Sequence, residues 1–335
     1  MDRRSFLTVS AAFLAGCGQL PSNDSTATPT ATTTTTATTT TEPATDTPTE
    51  TETPTATETE TATDAPTETE TPELSAREEN AALAFDRAIR ELNQAVYTYA
   101  GSEDGSLLDV SAADGSFPRV SIIGDLSDAD DYIEDARASA SERQQPRLAA
   151  IVEARRFLSL SVDTQSRVIA AFDEAERARD AVDGEQEGEI ENAARDLRDG
   201  RRRAAQPLQT IQDETSAENV SVVPAIPAAD YEAKVGQFDA EIGGFESLAD
   251  FFDRLQAAVV DLNDAERFDR VESERNARTR AQEAAEAFET LATELEEFAT
   301  GLPDGGTSIS DLATDLADIA ASKAEEAREI EEDNS

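Results

Sequence analysis

The sequence predicts an all-α protein: an elongated, coiled-coil-like helical bundle with two short extended segments, preceded by a disordered stalk. Three observations lead there. Beyond position 74, apolar residues recur at steps of three and four over long stretches, the period of an amphipathic helix. The connections between these stretches are short, which suits antiparallel helices. Ahead of them, residues 25–73 hold no apolar type except Ala, so they have nothing with which to build a core.

Residues 1–16 read as an export signal. Arg3 and Arg4 form a charged start, and Phe6 to Ala15 an apolar stretch too short for the roughly 20 residues that span a bilayer. Arg3-Arg4-Ser5-Phe6-Leu7 resembles a twin-arginine signal, with Asp2 where Ser or Thr usually stands. Leu14-Ala15-Gly16-Cys17 looks like a lipobox, which implies cleavage before Cys17 and lipidation of its thiol.

Residues 17–73 follow as a stalk. Of the 49 residues from Ser25 to Glu73, 25 are Thr, six are Pro, ten are acidic and none is basic. Pro and like charges extend such a chain, to roughly 150 Å at about 3.1 Å per residue in polyproline II form. Thr-rich, Pro-containing tracts read as O-glycosylated stalks, and Asn23-Asp24-Ser25 is an N-glycosylation sequon. Acidic composition, twin arginines, lipobox and stalk together resemble the exported surface lipoproteins of haloarchaea. That resemblance stops at the stalk. It implies a location, the extracytoplasmic face of the membrane, and no activity.

Residues 74–335 form the body. Ser75-Ala76-Arg77-Glu78 is a capping box ahead of Phe85, Ile89, Leu92, Val96 and Tyr99. Ser127 to Asp130 reads as a second, ahead of Tyr132 and Ile133. A long helix runs through Leu148, Ile151, Leu158, Val162, Ile169 and Phe172, with Pro146 in its first turn. Ile190, Ala194, Leu197, Ala204, Leu208 and Ile211 predict a fourth helix, interrupted near Gly200 and Pro207. A fifth extends from Tyr231 to Leu262, and a sixth carries Ala281, Ala284, Phe288, Leu291, Leu295 and Phe298. After a turn at Leu302 to Gly306, Ser308 is expected to cap a last helix over 308–331. Phe117 to Ile123 and Val220 to Ile226 are β-branched and read as extended. Val120-Ser121-Ile122-Ile123 and Val220-Ser221-Val222-Val223 are also alike. This suggests a duplication over about 74–183 and 185–300, with the two segments paired as a ribbon.

Composition bounds the chemistry. The net charge is −44, with 72 Asp and Glu against 28 Lys and Arg. The 262 residues from Leu74 carry 60 acids and 26 bases, net −34. Such a surface repels nucleic acid. With only two lysines, Lys234 and Lys323, it suits a molar-salt solvent in which self-repulsion is screened. There is no histidine, which removes Ser-His-Asp and Cys-His catalysis, and one cysteine excludes an internal disulfide and multi-cysteine zinc sites. Asp125, Asp128, Asp130 and Asp131 offer oxygen ligands without EF-hand spacing; helix capping is the reading preferred, and no metal is assigned. Arg201-Arg202-Arg203 is expected to pair with acids such as Asp196 and Asp199. Asn219-Val220-Ser221 is a second sequon, expected in an exposed extended segment.

The expectation is therefore a lipid-anchored surface module, not an enzyme and without cofactor. It would bind or space a surface protein or glycan, and a second copy is as available a partner as any. The first rival is a solute-binding lipoprotein of a transporter. The second is a surface hydrolase using a carboxylate pair.

Overall fold

The computed structural model describes residues 75–335. The export motif (Arg3, Arg4, Phe6, Leu7), the lipobox ending at Cys17, the sequon at Asn23 and the stalk lie outside the described residues.

The described residues form eight α-helices and no strand. Helix α1 (Ala76–Ala100) opens on the predicted capping box: the Ser75 hydroxyl accepts from the Glu78 N–H, and the Glu78 carboxylate accepts from the Ser75 N–H at 2.9 Å. Its apolar stripe buries Phe85, Leu92, Val96 and Tyr99, and Gly101 ends it at φ +76°, a left-handed position that glycine adopts without a Cβ penalty. Helix α2 (Arg119–Ser139) starts just after Pro118. Here the structure corrects two expectations. Val120 to Ile123 is helical, and Ser127 to Asp130 lies within a helix already formed rather than at its start. The reason is visible in what is buried: Ile122, Leu126, Ala129, Ile133 and Ala136 recur at steps of four and three. One face of that period outweighs the local preference of β-branched residues for strands. Val120 stays exposed.

Helix α3 (Gln145–Asp183) carries Pro146 in its first turn and buries every apolar residue named for it. Helix α4 (Glu187–Glu214) is continuous through both predicted breaks. Gly200 sits where a Cβ would lie 3.1 Å from the Ala171 Cβ, so the glycine allows close approach to α3 instead of ending the helix. Pro207 has no N–H to offer the Arg203 carbonyl four residues back. The Arg167 guanidinium of α3 donates to that carbonyl at 2.6 Å and takes the missing donor's place.

The second extended segment is also corrected. Ala217–Val220 is a short helix, α5, followed by turns. Val220, Val223 and Ile226 are fully buried, and the Asn93 side chain accepts from the Ala225 N–H at 2.9 Å. With neither segment a strand, no ribbon joins them. Helix α6 (Ala228–Arg270) has 43 residues, about 65 Å at 1.5 Å per residue. It packs against α3, α4, α5, α7 and α8. Helix α7 (Glu274–Gly301) and helix α8 (Thr307–Asp333) pair along an alanine-rich seam that includes Ala313, Ala317, Ala320, Ala324 and Ala327. Ser308 is not the cap. A 3-10 turn, Asp304–Gly306, runs directly into α8, so Ser308 is its second residue. The most extensive contacts join α1 to α2, α3 to α4 and α7 to α8; the last two pairs are joined by short connections, the first by the long segment 101–118. Among the described residues, no helix is long and apolar enough to cross a membrane.

Candidate functional site

The connection from α1 to α2 dips into the interior. Leu107 and Ala112 are fully buried and Val110 nearly so. A buried loop brings backbone polar groups that need partners, and side chains from α3 and α6 provide them. Gln165 donates to the Ser111 carbonyl at 2.8 Å. The Lys234 ammonium donates to the Val110 carbonyl at 2.7 Å, and Gln237 Nε2 to the same carbonyl at 3.1 Å. Glu241 Oε1 accepts from the Ala112 N–H at 2.9 Å.

These side chains also bind one another. Gln165 Oε1 accepts from the Tyr99 hydroxyl and from Lys234, both at 2.8 Å. Gln237 bridges the charges: Oε1 accepts from Lys234 at 3.1 Å, and Nε2 donates to Glu241 at 3.3 Å. Lys234 and Glu241 are both fully buried. Burial pulls the ammonium down to about 7 against the pull of Glu241, and pushes the carboxyl up to about 7 against the pull of Lys234. The Phe238 and Tyr99 rings flank the ammonium at 4.6 and 5.4 Å, which returns part of its lost hydration. Glu241 Oε2 is buried without a partner among the described residues.

Beside this network lies a pocket of about 840 Å³, within the size range of small-molecule sites. The loop residues Leu108, Ser111 and Ala113 form one wall, Ala233, Gly236 and Gln237 of α6 the second, and Pro303 to Asp311 the third. Gln237 thus belongs to both network and pocket. A Cβ on Gly305 would lie 2.6 Å from the Gln237 Cα, so only glycine lets the third wall close on α6.

Comparison with protein families, curated proteins and solved structures returned no match.

The residues named from the sequence are dispersed. Asp125 accepts from Thr98 at 2.6 Å and Asp130 pairs with Arg155 at 2.5 Å. They lie within α2, so capping does not explain them. Arg202 pairs with Asp199 as expected, but Arg201 reaches across to Glu246 of α6, and Asp196 lies 3.9 Å from Arg177 instead. Asn219 is in α5, half-buried rather than exposed and extended, and its amide donates to Glu153 at 2.8 Å.

One carboxylate cluster was not read from the sequence. Glu185, Glu266 and Glu326 bring oxygens within 4.8 Å of one another. The Lys323 ammonium already pairs with Glu185, and with Glu326 at 3.1 Å. Burial alone would lower this lysine, but the hydrogen bonds to Glu185 and Glu326 outweigh it and raise it. The buried network was missed as well. Its signal was present: Lys234 and Glu241 stand seven residues apart on the face that carries Tyr231, Phe238 and Phe245, where charged residues are out of place.

Proposed function

We propose that this chain is an exported lipoprotein whose helical body stands on a Thr-rich stalk, anchored through Cys17, and binds or spaces other components at the cell surface. The lipobox Leu14-Ala15-Gly16-Cys17, after a short apolar stretch led by Arg3 and Arg4, carries this reading. How the body begins supports it. The stalk read from the sequence ends two residues before Ser75, the cap of α1, and that first turn is tied to the rest of the fold. Arg143 pairs with Glu78 at 2.9 Å, Gln144 donates to the Glu78 carbonyl at 3.0 Å, and Arg77 donates to the Ala138 carbonyl at 3.0 Å. A tether that joins here pulls on a helix held by three long-range contacts.

Fractionation of cells making wild type or Cys17→Ser tests the anchor. The wild type is expected with the membranes and the variant in the medium; equal retention of both would refute lipidation at Cys17. Cross-linking on intact cells, followed by mass spectrometry, then identifies what the body touches. One observation favours the solute-binding reading: the pocket beside the buried network. A transporter among the cross-linked partners would decide for it.

A further inference from the structure

The pocket between the α1–α2 loop, α6 and the start of α8 has a definite chemical character. Its lining contains two carboxylates, Asp304 and Asp311, and no basic side chain. Neither aspartate makes an ion pair among the described residues, and both are exposed toward solvent. The nearest cation in the network, the Lys234 ammonium, is enclosed and has all three protons committed to oxygens. Apolar surface from Leu108, Ala113, Ala233 and Pro303 makes up much of the remaining lining. Ser308 also lines the pocket. That residue is only 8% exposed, and its side chain has no hydrogen-bond partner among the described residues. Its oxygen is not among the enclosed polar atoms that lack a partner in the described residues, so it is open to bond an occupant of the pocket.

We propose that this pocket binds a small organic cation with an apolar body, an amine or quaternary ammonium. Its charge would be set against Asp304 and Asp311, and a polar end would be within the reach of Ser308. An anion is disfavoured by the two carboxylates. A bare metal ion would leave the apolar walls and their roughly 840 Å³ unused. Salt screens the exposed aspartates, while apolar contact is not weakened by it, so the apolar body keeps the ligand bound at high ionic strength. The inference rests on the pocket alone and not on the lipid anchor, and each can fail without the other.

Calorimetric titration of the full chain provides the test, with choline as probe. Its uncharged isostere 3,3-dimethylbutan-1-ol and the anion 3,3-dimethylbutanoate serve as controls. Choline is expected to bind saturably and at least about tenfold more tightly than either control. Asp304→Asn with Asp311→Asn should erase most of that preference with an unchanged melting temperature, because both side chains are exposed. Gly236→Leu supplies a blocked pocket in a folded protein. A Cβ there meets nothing within 4 Å, and replacing a mid-helix glycine favours the helix. It should abolish binding. No saturable choline binding, equal binding of the isostere, or full binding by Gly236→Leu would each overturn the proposal.

Discussion

A lysine ammonium has three protons, and at Lys234 each meets an oxygen: Val110 O, Gln165 Oε1 and Gln237 Oε1. A guanidinium, with five donors in a planar fork, would leave some of them unpaired here. This accounts for a lysine in a chain whose other cations are almost all arginine. Gln237 stands between Lys234 and Glu241, and truncating either charge leaves buried hydrogen-bonding groups unpaired, at about 1–3 kcal/mol. Lys234→Met and Glu241→Gln should each fall in that range by chemical denaturation, and the double variant should cost less than their sum. The pair also shapes the pH profile. Folding raises the Glu241 carboxyl to about 7, so between 4.5 and 7 the folded state holds the extra proton and stability falls as pH rises. Folding lowers the Lys234 ammonium to about 7, so between 7 and 10.5 the unfolded state holds the extra proton and stability rises. The two groups titrate as one coupled pair, and their opposite shifts make stability depend on pH around neutrality, a dependence the double variant should lose. Glu78 acts in the opposite sense at low pH. The Ser75 N–H, the Ser141 and Ser75 hydroxyls and Arg143 hold its carboxyl at about 2. Its stabilisation is complete above 4.5 and is lost as pH falls from there toward 2. Acid titration of Glu78→Gln should lack that component.

At the level of the helices, the α3–α4 pair shows how a residue that breaks helices is kept inside one. Pro207 removes a hydrogen bond, and Arg167 from the neighbouring helix supplies it. A double-mutant cycle tests this. Arg167→Met should cost more in wild type than in Pro207→Ala, where the substituted position regains a backbone N–H and donates it to the Arg203 carbonyl. The expected coupling is about 0.5–1 kcal/mol, and equal costs in both backgrounds would refute the exchange of donors. Most of the helical pattern was legible in the sequence because it depends on period alone: Phe85 to Tyr99, Leu148 to Phe172 and Tyr231 to Leu262 were placed on the right faces. The failures share a local reading that the packing of helices overrides. Val120 to Ile123 and Val220 to Ile226 read as extended from local preference, which burial against neighbouring helices overrides, and at Pro207 a guanidinium of α3 replaces the lost donor. The candidate site was less legible, since Gln165, Lys234 and Glu241 meet only after α3 and α6 have packed around the loop.

Across the whole molecule, charge is the dominant fact. The body carries net −34, and its ion pairs are mostly exposed, where each contributes little. Both lysines are withdrawn from the surface, Lys234 completely and Lys323 to 12% side-chain exposure. The described surface thus presents carboxylates and guanidinium groups. Raising ionic strength from about 0.1 M to about 1 M shortens the screening length from about 10 Å to about 3 Å. The melting temperature is therefore expected to rise by several degrees over that range of KCl, and a flat or falling response would count against adaptation to strong salt. Sequence by itself determined the helical period, the charge, the lack of histidine and the motif at Cys17, because each is a property of composition or of neighbours along the chain. Only the tertiary structure decided that a lysine and a glutamate share the core with a buried loop, that a guanidinium replaces the donor missing at Pro207, and that Asp304 and Asp311 border a pocket. Those depend on which helices pack together, and pairing at a distance leaves no local pattern in the chain.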